Sequence, residues 1–160
     1  METVQINKSA AIQAHDQATP KQKSLLENLL GKNVFVKNIR ERIQTIHDVF
    51  ELNGTTEKEF SKKWRGFADH EIGYALELLV VAAYNEGKSP DWTNDDECKY
   101  FAYFKMGSPS GVGFSYYYCV YWTSRSGVGS RQVFIGPDAY ENLLDATKKF
   151  LSVYQQSRTT

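Results

Sequence analysis

The chain has 160 residues, of which 41% are hydrophobic and 24% are charged. These proportions are those of an ordinary globular protein, so they exclude a largely disordered chain and a collagen-like repeat. With 19 basic and 19 acidic residues the formal net charge is zero, which gives no electrostatic case for binding duplex DNA. The length is that of one domain, so we expect a single domain over residues 1–160.

No membrane or secretion signal is visible in the sequence. No unbroken apolar run is longer than the seven residues of Leu78–Tyr84, far fewer than the roughly 20 residues that cross a bilayer. The N-terminal residues carry neither the basic region nor the apolar segment of a secretory signal. Cys98 and Cys119 are too few for a disulfide framework or a zinc site. We therefore expect a soluble intracellular protein with reduced thiols and no membrane partner.

The first part of the chain, residues 1–88, is predicted to be mainly helical. A weakly apolar helix over Lys8–Gln17 is followed by a second helix that starts at Pro20 and carries a stripe of leucines, as amphipathic helices do. Further helices follow, and the one from Asp69 to about Gly87 has the broadest apolar stripe. That helix is predicted to be the central helix of the core.

The second part, residues 99–156, is predicted to be an antiparallel sheet with a closing helix. The predicted strands are Lys99–Met106, Val112–Trp122 and Ser130–Ile135, and their short connections favour antiparallel neighbours. A final helix opens at Pro137–Asp138 and would cover one face of the sheet. The predicted class is therefore α+β, in which N-terminal helices precede a small sheet of about three strands closed by a C-terminal helix.

The aromatic residues are unusually concentrated. The chain has 9 Phe, 10 Tyr and 3 Trp, and eleven of these lie between Trp92 and Trp122. Aromatic side chains fit the pleated, half-buried surface of a sheet. Tyrosine and tryptophan also form contact surfaces, because they offer a large rigid area with a polar tip. Both interpretations stay open for individual residues.

Strand periodicity predicts which aromatic residues of the second strand share a face. Strict alternation places Tyr116, Tyr118 and Trp122 on one face and Tyr117 and Tyr121 on the other. One helix can cover only one face of a small sheet. The other face is therefore predicted to present aromatic rings, unless the N-terminal helices cover it.

The candidate ligand site lies at the end of the sheet, near the segment 124–131. Arginine forks suit phosphate or carboxylate groups, and aromatic rings suit a nucleobase or another flat group. The alternative is that Arg131 forms a salt bridge with the closing helix and that the tyrosines pack between layers. The predicted ligand-binding residues are Arg131, Arg125, Ser126, Ser130, Trp122, Tyr116, Tyr118 and Trp92.

A short internal repeat flanks the middle strand. Ser110–Gly113 recurs as Ser126–Gly129, and glycine-rich turns can form anion-binding nests. The strand between them separates the two copies by about 35 Å, so they could share one small ligand only across a subunit interface. The alternative is that both are hairpin turns. Self-association of the chain is therefore compatible with the sequence.

The search for catalytic and metal-binding patterns finds little. The histidines His15, His47 and His70 lie on separate predicted helices without metal-ligand spacing. The acidic segment Asn94–Glu97 lacks the glycine turn and alternating ligands of a calcium loop, and it is predicted to be a solvated turn. Cys119 is predicted to be a small buried residue. These observations favour a protein without metal, cofactor or catalytic residues.

Short segments spread over most of the chain carry a family resemblance. They are Val4–Ala10, Leu30–Lys32, Asn85–Gly87, Pro90–Trp92 and Gly129–Arg131, the last followed by a short apolar strand and an acidic helix that ends in Lys148–Lys149–Phe150. With these segments the chain resembles small uncharacterised proteins of bacteriophages and of integrated elements in gut anaerobes. It departs from them at Gln132–Val133, where a leucine and a cysteine would be expected. The resemblance implies a phage or mobile-element origin and the cytoplasm of a bacterial host, and it implies no catalytic residues.

These features predict a non-enzymatic phage or mobile-element accessory protein that binds a small nucleotide-like ligand, for example to sequester a host immune signal. One alternative is a protein-binding or virion-associated module that uses the aromatic face of the sheet. A further alternative is an enzyme that acts on nucleotides or nucleic acid, which would require histidines or carboxylates around the pocket. The expected partners are a small nucleotide-like ligand, a protein, or a second copy of the chain.

Overall fold

A computed structural model describes residues 6–36, 38–108, 111–125, 129 and 131–159. The chain divides into two compact units, residues 1–42 and 43–160. Helices and one small antiparallel sheet make up the secondary structure, so the predicted α+β class is confirmed. None of the helices in the described ranges is long and apolar enough to cross a membrane.

The first unit is helical. Its second helix begins at Thr19, whose backbone N–H donates to the Gln22 side chain at 2.9 Å, and Pro20 occupies the first turn. The His15 ring stacks on Phe35 with centroids 4.2 Å apart. The helices of this unit are α1 (Lys8–Gln17), α2 (Pro20–Leu30), a 3-10 turn (Lys32–Val34) and α3 (Ile39–Arg42).

The second unit holds the remaining helices and the sheet. Its short helices begin at threonines, because a threonine hydroxyl and an acidic residue three positions later satisfy the first backbone N–H groups; Thr45 with Asp48 and Thr56 with Glu59 are such pairs. The elements are α4 (Ile46–Leu52), α5 (Glu57–Lys63), α6 (Asp69–Tyr84), β1 (Lys99–Lys105), β2 (Ser115–Trp122), α7 (Ala139–Lys149) and α8 (Leu151–Arg158).

Helix α6 lies at the centre of this unit and packs against α4, α7 and α8. Gly73 permits the close approach of α8, since a Cβ atom at this position would lie 2.5 Å from the backbone nitrogen of Ser157. The buried carboxylate of Glu77 accepts hydrogen bonds from Arg158 at 2.7 Å and from the Ser157 hydroxyl at 2.7 Å. A backbone contact and a buried ion pair therefore join the two helices.

Within the described ranges the sheet has two strands, where about three were predicted. The predicted third strand, Ser130–Ile135, contributes a single antiparallel bridge between Phe134 and Tyr100, and Ser130 itself lies outside the described residues. The segment is short because a turn precedes it, in which the Gln132 N–H donates to the Gly129 carbonyl at 3.0 Å, and because Gly136, with a positive φ of 94°, redirects the chain after it. The edge of the segment that faces away from β1 is paired with Asn85, whose amide donates to the Val133 carbonyl at 2.8 Å and accepts from the Ile135 N–H at 3.1 Å.

The predicted single closing helix is also replaced, by two shorter helices. Helix α7 packs against β1, whereas α8 packs against α6. The break lies at Phe150, whose φ of −116° and ψ of 30° leave the helical region and whose side chain is buried.

Candidate functional site

A cavity of about 470 Å³ lies in the second unit between α5, α6 and the chain that follows α6. Its wall includes Trp64, Leu78 and Pro90, and its basic residues are Lys63, Lys88 and Arg131. We call it the basic cavity. Its size falls within the range of small-molecule sites in proteins.

The end of helix α6 brings Lys88 to this cavity. Glu86 and Gly87 adopt positive φ angles of 50° and 74°, and the Gly87 N–H donates to the Ala82 carbonyl at 2.9 Å. This is the left-handed turn with which many helices end, and it satisfies a carbonyl of the last helical turn. The chain is redirected immediately before Lys88, which therefore lines the cavity beside the helix end.

Arg131 reaches the cavity because the residues after it are anchored on α6. The Gln132 side chain donates to Glu77 at 3.1 Å and accepts from the Gly129 N–H at 2.8 Å. Asn85 holds the next residues through the hydrogen bonds described above. Glu77 of α6 and Asn85, the residue that follows α6, thus fix the turn that presents Arg131.

Trp64 supplies a flat aromatic wall. It follows the last residue of α5, and its ring contacts Phe60 and Phe67 with centroid distances of 6.1 and 4.9 Å. The Lys63 ammonium lies 5.9 Å from the centre of the Trp64 ring. Aromatic contacts therefore hold the ring in place, while the side chain stays partly accessible.

The basic cavity has an excess of positive charge. Lys63, Lys88 and Arg131 are all exposed, and the described residues give none of them an ion pair. No carboxylate, histidine or cysteine stands among the described lining residues. The salt bridge between Arg131 and the closing helix, which the sequence offered as an alternative, is not formed within the described ranges. The arrangement suits an anion with a flat group.

The structure does not bring the predicted ligand-binding residues together. Ser126 and Ser130 lie outside the described residues. Of the six that are described, Arg131 alone lines the basic cavity, while Arg125 is exposed after β2 and Trp122 is exposed on it. Lys63, Trp64 and Lys88 were not predicted, because nothing in the sequence indicates that residues 63, 88 and 131 meet.

The predicted alternation along β2 is wrong at Tyr116 and Tyr117. The register pairs Tyr103 with Tyr118 and Phe104 with Tyr116, so Tyr117 forms a bulge without a partner. The Tyr117 ring contacts Tyr118 at a centroid distance of 4.7 Å. Burial and a hydrogen bond to Cys119 on the same strand raise the pKa of the Tyr116 hydroxyl. One extra residue shifts the faces of the strand, as β-bulges do.

Trp92 packs beside a buried lysine. The Lys99 ammonium lies 5.4 Å from the centre of the Trp92 ring, and the Lys99 side chain is fully buried. The ammonium donates to the carbonyls of Asn94 and Glu97 at 3.1 and 2.9 Å and lies 3.3 Å from the Glu97 carboxylate. The segment Asn94–Glu97 therefore compensates a buried charge, a role that its sequence did not indicate.

No group of histidine, cysteine and acidic side chains suited to a metal ion is found in the described part of the chain. Comparisons with protein-family models, with curated proteins and with solved structures give no match to this chain.

Proposed function

We propose that the chain binds a small anionic, nucleotide-like ligand in the basic cavity. The observation that carries the proposal is the convergence of three cations, which form no ion pair with the described residues, on one cavity that also contains the partly accessible side chain of Trp64. The Arg131 guanidinium and the two ammonium groups would bind phosphate oxygens. The Trp64 ring would pack against a base or a comparable flat group.

The charge of the ligand follows from the lining. A neutral ligand would leave three like charges uncompensated at one site, whereas phosphate groups would neutralise them. We therefore expect affinity to rise with the number of phosphates and to fall with ionic strength, because the cations are exposed and screened by salt.

The experiment is calorimetric titration of the full chain with AMP, ADP and a cyclic dinucleotide. Replacing Arg131 by alanine should weaken binding about tenfold or more, since a charged hydrogen bond contributes roughly 1.5–3 kcal/mol. Arg125→Ala is the matched control, because Arg125 is also an exposed arginine and does not line the cavity. Equal effects of the two variants, or no binding of any of the three nucleotides, would contradict the proposal.

The biological role, sequestration of a host immune signal by a phage or mobile-element accessory protein, is proposed from the sequence resemblance together with this cavity. Native mass spectrometry of the chain, before and after incubation with extract from phage-infected bacteria, would report both a retained ligand and the number of subunits. A retained mass of a few hundred daltons supports this role, and an unliganded mass in both samples contradicts it.

A second candidate function is protein binding through the sheet. Tyr103 and Tyr118 stack with centroids 4.9 Å apart, and their side chains stay 42% and 43% exposed. Clustered exposed aromatic residues are typical of contact surfaces. The proposal predicts that Tyr118→Ser reduces recovery of a protein partner and that Arg131→Ala does not.

A further inference from the structure

A second cavity is lined by acidic and aromatic residues. It has a volume of about 360 Å³ and is lined by Asp96, Glu97, Tyr100 and Tyr140, together with Cys98 and the turn before α7. We call it the tyrosine cavity. It shares no lining residue with the basic cavity.

Two tyrosine rings line this cavity, and a third packs against one of them. The rings of the lining residues Tyr100 and Tyr140 lie 6.1 Å apart at an interplanar angle of 57° and so form a corner, while the Tyr121 ring lies 5.2 Å from that of Tyr100 at an angle of 41°. Tyr121 and Tyr140 are 55% and 44% exposed, so ring surface is available to a ligand.

The charges around the rings are negative. Glu97 is already paired with Lys99 at 3.3 Å. The carboxylates of Asp96 and Glu141 form no ion pair or hydrogen bond with any described residue. Glu141 also acts electrostatically on the Tyr100 hydroxyl, whose pKa is raised first by burial and then by neighbouring groups that include this carboxylate. Asp96, which lines the cavity, and Glu141, which follows Tyr140 in α7, thus have carboxylates without an ion-pair partner among the described residues.

We propose that the tyrosine cavity binds an organic cation of the quaternary-ammonium class. A methylated ammonium group carries its charge over methyl groups, which pack against ring faces and are attracted by their electron density. It has no N–H donor that the cavity would have to satisfy. The carboxylates add attraction without direct contact.

An inorganic cation fits the same residues less well. Calcium requires six to eight oxygen ligands at about 2.3–2.6 Å, and the described residues hold no cluster of that kind. The ring corner offers aromatic surface in place of oxygen ligands. The chemistry of the lining therefore selects an organic cation.

The test uses choline as the probe and its uncharged analogue 3,3-dimethylbutan-1-ol, in which carbon replaces the charged nitrogen. Titration of the full chain is followed by nuclear magnetic resonance of the tyrosine side chains. We expect choline to bind and the alcohol to bind at least fivefold more weakly, because cation–π attraction requires the charge. Equal affinities, or no binding of choline, would overturn the proposal.

Variants locate the site. Tyr140→Ala should weaken choline binding about fivefold, whereas Tyr140→Phe should retain it because the ring is kept. Tyr117→Ala is the matched control, since Tyr117 is 57% exposed and its ring contacts Tyr118. Asp96 lies in an exposed loop, so Asp96→Asn should lower the affinity for choline without unfolding the chain. Comparable losses in Tyr117→Ala and Tyr140→Ala would show that choline binds elsewhere and would overturn the assignment.

Discussion

Single side chains determine which residues line the basic cavity. Asn85 is buried just after the end of α6. Its side-chain amide donates a hydrogen bond to the backbone of Val133 and accepts one from the backbone of Ile135. These hydrogen bonds anchor the segment that follows Arg131 and so help to fix the turn that presents it. The sequence identifies Asn85 as a helix-end residue, but its long-range partners could not be predicted, because they lie 48 and 50 positions away.

We expect Asn85→Asp to destabilise the fold by about 1–3 kcal/mol, the usual cost of a buried polar group left without its hydrogen bond. The change keeps the oxygen that accepts from Ile135 and replaces the donor to the Val133 carbonyl by a second oxygen. Urea denaturation gives the free energy of unfolding. A loss below about 0.5 kcal/mol, the scatter of ordinary surface changes, would show that the amide does not hold this segment.

At the scale of elements, helix starts were the most predictable feature. The start of α2 at Pro20 was predicted, because proline at the first helical turn is a local pattern. The sheet was harder: β1 and β2 were predicted, but the bulge at Tyr117 was not, since nothing in the run Tyr116–Tyr118 indicates which residue lacks a partner. The break at Phe150 was not predicted either, because the apolar pattern continues from α7 into α8.

Gly73→Ala should separate α6 from α8. Alanine favours an isolated helix by about 1 kcal/mol over glycine, but its Cβ would lie 2.5 Å from the Ser157 backbone nitrogen. Forcing a methyl group into such a contact typically costs about 1–3 kcal/mol, so we expect net destabilisation. Thermal unfolding checks the sign, with His70→Ala, an exposed change in the same helix, as the control. An increased midpoint in Gly73→Ala would refute the close contact.

The N-terminus of α4 predicts a specific pH dependence. Partial burial raises the pKa of the Asp48 carboxyl, but hydrogen bonds from Gln44 and Thr45 outweigh burial and leave the pKa below its ordinary value. A lowered pKa in the folded state means that the carboxylate stabilises the fold above its unfolded pKa of about 3.9. This stabilisation is lost as the pH falls through the folded pKa.

Asp48→Asn should therefore reduce the loss of stability between pH 7 and pH 3. Equilibrium unfolding at a series of pH values measures that loss. Glu51→Gln, an exposed acidic position of the same helix, is the matched control and should behave like the parent chain. Identical pH profiles for Asp48→Asn and the parent chain would show that the capping carboxylate does not contribute.

At the scale of the whole molecule, the two units differ in how much they bury. Helix α2 has no buried residue, and Leu25 and Leu29 are 58% and 70% exposed. Helix α6 buries seven of its sixteen residues. Local stability follows buried contacts, so the two units should open separately.

We expect amide hydrogen exchange to be slowest in α6 and markedly faster in α2. Mass spectrometry of peptides from the exchanged chain resolves both helices. Equal protection of α2 and α6 would mean that the chain opens as one cooperative unit, contrary to this prediction.

The local properties of this protein were readable from its sequence: the α+β class, the principal helices, the two strands and the concentration of aromatic residues. These depend on neighbours within a few positions, where hydrophobic spacing, turn residues and helix caps act. The cavities were decided by tertiary structure alone. Lys63, Lys88 and Arg131 line one cavity because the hydrogen bonds of Asn85 and Gln132 fold distant segments onto α6, and no local pattern encodes that pairing.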